Sequence, residues 1–304
     1  MLKRKKDKYI CWACDFSRNT GEGLLGREFI KYFNKRNKCR VNVIKIKKNF
    51  FFQHKYVSPL VGVLILWYFF LKKRKVIYVN YLPLWNILIF LLLPPRTILG
   101  PITGGANFDN SNQNNYFIRK YIFPILYKLS EYLILLRFKN LIFSTDLLKK
   151  KLRIETIEKS KFNFVLNIVK INNKKYLKVN KFLIYNRNHH NKKYKILSKI
   201  IKKLISIGFK IEIIGDKVNI NEVKNHGYIT HEKVLKLLKK TRYSIVSNEN
   251  VFSLFTIDCI NNNVKLLIYD KNYTSVKFYK KYFIKYNMNF NFKKLLKKNL
   301  NKIS

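Results

Sequence analysis

From Lys181 onward the chain alternates short apolar runs with amphipathic ones, and that alternation limits it to one fold class. Apolar runs at Phe182–Tyr185, Ile211–Ile214, Tyr243–Val246 and Val264–Tyr269 read as strands. Between them, segments 194–207, 232–240 and 253–261 read as helices. The first shows the spacing best, with Ile196, Leu197, Ile200, Ile201, Leu204 and Ile205 recurring at three and four residues. Strand and helix in alternation mean a parallel sheet covered on both faces.

The first half reads the same way, with strands at 9–13, 41–46, 76–79, 97–99 and 141–143 and helices over 24–33 and 116–136. All six prolines fall before residue 125. An Asn- and Lys-rich stretch without periodicity separates the halves. The expected organisation is an α/β chain of two Rossmann-like parallel-sheet domains facing a cleft. Residues 1–170 form an acceptor-side domain, 171–180 a linker, and 181–304 a nucleotide-binding domain ending in a helical tail from Asn272.

Composition narrows the partners. The chain carries 63 Lys+Arg against 16 Asp+Glu, a net charge of +47 over 304 residues, yet 48% of residues are hydrophobic, which excludes a disordered basic arm. A basic surface attracts nucleic acid or anionic lipid. Lys, Asn, Ile, Phe and Tyr are all abundant, as drift toward AT-rich codons produces. The cations are spread over nearly every segment and no nucleic-acid module is legible, so nucleic acid is not expected as a partner and an anionic membrane surface is. Four scattered cysteines (Cys11, Cys14, Cys39, Cys259) and no cleavable leader point to a cytoplasmic setting, with Cys11 and Cys14 as core residues. The apolar stretches 57–71 and 81–95 are each about 15 residues long, short of the roughly 20 that a spanning helix needs. They are expected to be buried or interfacial, with peripheral membrane association at most.

Glycine is scarce. Six of the ten lie in two clusters, Gly21, Gly23, Gly26 and Gly100, Gly104, Gly105, each following an expected strand. In open α/β sheets such loops line the ligand crevice, so Gly21, Glu22, Gly23, Gly104 and Gly105 are candidates for an acceptor or phosphate site. Neither loop is a P-loop or a GxGxxG fingerprint. After the strand at 182–185 come Arg187 and Lys192, cations able to clamp a diphosphate. Gly215 closes the strand at 211–214. Glu249 and Asn250 lie in the loop after 243–246, and Ser253, Leu254 and Asp258 lie at the start of the next helix, where N–H groups meet phosphate and a carboxylate meets a ribose diol. Adjacent His189 and His190 lack a carboxylate partner, so no metal is expected.

In order, "FLIYNRNHHNKKY", "IEIIGD", "HGYITHEKVLKLLKKTRYSIVSN" and "ENVFSLFTIDCINNNVKLLIYD" resemble the second domain of GT-B glycosyltransferases of the group 1 type, glycosyltransferase family 4. In the first half, "NTGEG" resembles that family's early Gly-rich loop, and "GPITGG" a loop of some bacterial surface-glycan transferases. The resemblance implies that Arg187 and Lys192 hold the donor diphosphate and that Asp258 replaces the family's second motif Glu, which binds ribose. Glu249 and Asp258 are one residue further apart than the family's pair, so strict alignment places Asn250 at the first Glu. Asn186 and Ser253 stand where glycines are usual. The implied activity is retaining transfer from a nucleotide sugar to a glycan or lipid-linked saccharide, in surface polysaccharide or lipopolysaccharide synthesis, with no cofactor and no metal. A basic nucleic-acid-binding protein and a noncatalytic glycosyltransferase-like subunit are the alternatives.

Overall fold

A computed structural model describes residues 9–17, 20–44, 57–104, 117–173, 176–187, 195–246, 250–270, 276–287 and 289–293. The chain divides into two compact units, Met1–Ile168 and Val169–Ser304. Both are α/β, and among the described residues every strand pairing in them is parallel.

In the first unit the order is β1 (Tyr9–Ala13), α1 (Gly21–Asn37), β2 (Val41–Ile44), α2 (Val57–Leu71), β3 (Lys75–Val79), α3 (Ile87–Leu92) and β4 (Ile98–Leu99). A π-helical segment, Ile118–Ile122, then runs into α4 (Phe123–Arg137), followed by β5 (Leu141–Ile142), α5 (Ile154–Glu158) and β6 (Ser160–Lys161). The main sheet has the order β2-β1-β3-β4, with β5 and β6 a separate pair. Strands β1 and β3 are apolar at nearly every position because helices cover both faces. Trp12, Tyr78, Leu66 and Phe90 are completely buried where α2 and α3 close over the sheet. Each such side chain contributes about 1.5–3 kcal/mol by leaving water.

The first glycine cluster is not the loop its composition suggests. Helix α1 begins at Gly21, three residues ahead of the expected start, because the Thr20 hydroxyl caps it by accepting from the Gly23 N–H at 3.1 Å. Gly21, Glu22 and Gly23 therefore form the first helical turn. Glycine at 23 and 26 has a packing cause: a Cβ at Gly23 would strike the Ser17 backbone, and one at Gly26 the Asn80 amide. The stretch 81–95 forms a helix only over Ile87–Leu92, since Pro83 and Thr103 bridge outside it.

The second unit runs β7 (Val179–Asn186), α6 (Lys195–Ile205), β8 (Lys210–Gly215), β9 (Val223–Asn225), α7 (His231–Lys239), β10 (Thr241–Ile245), α8 (Leu254–Asn261), β11 (Lys265–Tyr269) and β12 (Phe283–Tyr286). Its six strands are ordered β12-β11-β10-β7-β8-β9, the doubly wound Rossmann order. Ile200, Ile201 and Leu204 of α6 seat on a cluster in which Phe182 stacks on Tyr243 at 5.2 Å and Phe209 meets both edge-on. Across the sheet, Glu212 takes Lys181 Nζ at 2.9 Å and His226 Nε2 at 3.0 Å. Burial alone would raise its pKa, but these two partners outweigh it and hold the carboxyl below its usual range.

The expected helical tail is corrected. A short 3₁₀ turn at Lys280–Tyr282 feeds β12, which adds in parallel to β11 and buries Phe283 and Tyr286. The free edge of β11 offers a ladder that overrides local helix preference. Residues 294–304 lie outside the described residues. Among the described residues no helix is long and apolar enough to cross a membrane.

Gly62 of α2 lies against Trp12, and a Cβ there would run into the indole ring. Gly62→Ala is therefore expected to destabilise the protein by about 1–3 kcal/mol through overpacking. The midpoint of urea unfolding checks this, and an unchanged midpoint would show that the contact yields.

Candidate functional site

The second sheet reverses direction between β7 and β10. From β7 the chain steps outward to β8 and β9, then returns to β10 on the other side of β7 and continues to β11 and β12. At such a reversal the crossovers leave to opposite sides, and a crevice stays open at the carboxyl ends of the two central strands. Asn186 is the last residue of β7, and Arg187, exposed, follows it directly. Helix α8 starts on the other flank. Ser253 caps it, its hydroxyl accepting from the Thr256 N–H at 3.2 Å. The Tyr185 and Phe255 rings meet at 5.7 Å, so the end of β7 lies beside the first turn of α8. A guanidinium and a positive helix end thus adjoin one crevice, which suits an anion.

Asp258 lies in the second turn of α8 and is 8% exposed. His231, the first residue of α7, approaches it at 2.9 Å between Nε2 and Oδ2, which fixes the carboxylate's orientation. His231 carries no sequence signal of its own, although it lies within the "GYITHEK" segment. Gly215 closes β8 at φ +94, and a Cβ there would run into the Asn186 carbonyl, so glycine lets the two strand ends approach. Next to it Asp216 accepts a 2.8 Å hydrogen bond from the Tyr228 hydroxyl, which holds that phenol's pKa above its usual value. Asn250 turns inward, its Oδ1 accepting from the Phe252 N–H at 3.1 Å. The structure thus gathers Arg187, Gly215, Asn250, Ser253, Leu254 and Asp258 at the carboxyl edge of one sheet. Lys192 and Glu249 lie outside the described residues.

The first sheet reverses between β1 and β3, and polar groups collect there too. Asp15 accepts from the Ser17 N–H at 2.8 Å and from the Thr20 hydroxyl, while the buried Asn80 amide donates to the Asp15 carbonyl. Glu22 lies in the same group, with one carboxyl oxygen buried and without a partner among the described residues. Burial, then the neighbouring Asp15 charge, raises its pKa above the ordinary carboxyl value. Asn80 and Tyr81 hold φ of +72 and +47, a conformation that costs side-chain-bearing residues strain. The Leu82–Leu84 backbone pairs with Thr103, which sets Gly104 beside this edge, whereas Gly105 is outside the described residues. Gly26, against the Asn80 amide, and Gly104, next to Thr103, thus both adjoin the Asn80–Leu84 connection, which carries no glycine to signal it. Among the described residues no group of three His, Cys, Asp or Glu is placed to hold a metal ion.

No family model and no curated protein matches the chain. Among solved structures it is similar over 94% of its length to 87% of the spinosyn forosaminyltransferase SpnP, at 8% identity and TM-score 0.41. It is similar over 95% of its length to 90% of the UDP-GlcNAc 2-epimerase of Methanocaldococcus jannaschii, at 10% identity and TM-score 0.43. It is similar over 97% of its length to 99% of the E. coli heptosyltransferase WaaC bound to ADP-2-deoxy-2-fluoro heptose, at 8% identity and TM-score 0.37. Likeness at this level assigns neither a reaction nor a residue role to this chain.

Helix α8 is tied at its far end by Lys178, whose Nζ donates to Asn262 O at 2.6 Å and Thr241 O at 3.0 Å. Burial lowers the Lys178 pKa to about 8, against about 10.4 for a lysine in the unfolded chain. Between those values the unfolded state binds the extra proton, so this group's contribution makes stability rise with pH. Relative to Lys178→Met, the wild type is expected to gain unfolding free energy as pH increases from about 8 to about 10.4. Paired urea titrations across that range check it, and a flat difference would contradict it.

Proposed function

We propose that the protein is a nucleotide-sugar-dependent glycosyltransferase of GT-B type. Its donor is bound in the β7/β10 crevice of the second unit, and its acceptor is a glycan or lipid-linked saccharide held by the first. One observation carries the reading. Arg187 and the Ser253-capped start of α8 flank the strand reversal, in the chain order of the glycosyltransferase-like motifs.

In this reading Arg187 and Lys192 neutralise the charge that develops on the diphosphate as the glycosidic bond breaks, with the amino end of α8 adding to the same field. Asp258, oriented by His231, accepts from the ribose diol. Gly215 and Leu254 contribute backbone to the donor site, and Glu249 is assigned a catalytic role from its place in the donor motif. On the acceptor side, a carboxyl with raised proton affinity at Glu22 is suited to a sugar hydroxyl, which it can bind as donor or acceptor. Charge on the leaving group is met by the chain's own cations, so the reading requires no metal or cofactor. Retention of anomeric configuration and a role in surface polysaccharide or lipopolysaccharide synthesis, at the cytoplasmic face of a membrane, belong to the same proposal. Asn250 favours a second reading, a noncatalytic subunit, because a neutral amide engaged in its own turn stands at the first motif glutamate.

The test is the thermal shift of the purified protein with UDP, GDP, ADP and CMP at low and high salt, for wild type, Arg187→Ala and Asp258→Asn. Stabilisation by one nucleotide is expected, worth about 2.7 kcal/mol at a hundredfold excess over Kd, and lost in both variants. A similar response to every anion that vanishes in salt would overturn the donor site. Selective binding without turnover on any acceptor would favour the second reading.

A further inference from the structure

The helices of the first unit that cover one side of its core leave large apolar side chains in water. On α2, Leu60, Leu64, Tyr68 and Leu71 recur at one turn's spacing and are 49–73% exposed. On α3, Leu88, Leu91 and Leu92 are exposed. Along the π segment and α4 a third stripe runs through Ile118, Tyr121, Ile125, Leu129, Tyr132 and Leu136. The three helices adjoin. α2 packs on α3 and α3 on α4, Trp67 Nε1 donates to Leu92 O at 2.7 Å, and Arg137 ties the end of α4 to the carbonyls that close α3. An apolar surface of this extent marks an interaction site.

Its charge states the kind of partner. No carboxylate occurs from residue 29 to residue 108, and the one acidic side chain on these helices, Glu131, is buried and engaged by Thr156 and the Arg153 N–H. Cations border the stripes: Lys72 and Lys73 after α2, Lys120 on the π segment and Lys128 on α4, all exposed. Beyond Leu136 the third stripe enters a groove of about 850 Å³ whose walls combine Leu135, Leu136 and Phe138 with Arg96, Lys139 and Lys159. A protein partner would need an acidic rim around an apolar centre. A bilayer with anionic headgroups supplies both at once: acyl chains for the stripes, phosphates for the cations, and an interfacial depth that suits exposed Tyr68, Tyr121 and Tyr132.

We infer that the α2–α3–α4 face of the first unit inserts into the outer few ångströms of an anionic bilayer, with the basic groove at the end of α4 receiving lipid phosphates. The inference rests on the proposed function only in making an acceptor at a membrane accessible. It is read without nucleotide or turnover, so either can fail while the other stands.

Total charge alone would bring a +47 chain to any anionic surface, so the experiment separates insertion from adsorption. Full-length protein is sedimented with vesicles of phosphatidylcholine, with and without phosphatidylglycerol. Tryptophan emission is then read with acyl chains brominated near the headgroup. Wild type is expected to bind the anionic vesicles, and its emission to be quenched through Trp67 and Trp85 by at least a third. Leu64→Glu/Leu129→Glu is expected to lower binding at least tenfold at an unchanged melting temperature, and Lys139→Gln/Lys159→Gln at least threefold. Ile171→Glu/Leu177→Glu, which adds the same charge at exposed sites of the second unit, is expected to bind within twofold of wild type. Equal loss in both Glu pairs, or binding without quenching, would overturn insertion. So would a dimer in vesicle-free solution that Leu64→Glu/Leu129→Glu dissolves, since the face would then belong to a second copy.

Discussion

Two neighbouring parallel strands whose chains leave in opposite directions cannot both place a crossover over the gap between them. That constraint decides where chemistry is available here. In the second unit it opens the sheet between β7 and β10, in the first between β1 and β3. The two openings have opposite character. One is flanked by a guanidinium and a positive helix end, the other by Asp15 and Glu22 in a chain that has only 16 carboxylates. Placing two of so few acids, both half-buried, at one edge beside residues held at positive φ costs desolvation and about 1–3 kcal/mol of backbone strain per residue. Asp15 offsets part of that cost by holding Ser17, the α1 cap Thr20 and Asn80, and Glu22 by its place in the first turn of α1.

The second unit was legible because its signals are local. The 3.6-residue recurrence of Ile196 to Ile205 reports α6, and apolar runs of four to six residues report strands buried on both faces. Where tertiary pairing decides, legibility ends. Lys280–Tyr286 carries no strand signal strong enough to stand alone, and it becomes β12 only because β11 has a free edge. The glycines of "NTGEG" read as a loop, although Thr20 supplies a cap that starts the helix at Gly21. Of the candidate site, Arg187 is legible from its position after a strand and Asp258 from its place in the helix that follows one. His231 and the Asn80–Tyr81 turn are not, because each becomes part of a site only through a partner 27 or 65 residues away in sequence.

The first unit also separates two uses of apolar surface. Leu66 and Phe90 are buried, whereas Leu64, Leu91 and Leu129 face outward from the same or neighbouring helices. Helix α2 is apolar all round, so periodicity alone could not divide its buried side from its exposed one. The side that faces the sheet is marked by Gly62, packed on Trp12, together with the buried Ser58, Pro59, Val63 and Leu66.

The central claim, that the β7/β10 crevice holds a nucleoside diphosphate, is tested most directly by photolabelling the intact protein with azido analogues of UDP, GDP and ADP and mapping the modified peptides. The account predicts label on peptides spanning 185–187, 215–228 or 250–258, competed by one unlabelled nucleotide and absent in Arg187→Ala. Label confined to the first unit, or spread over lysine-rich peptides and removed by salt alone, would contradict it.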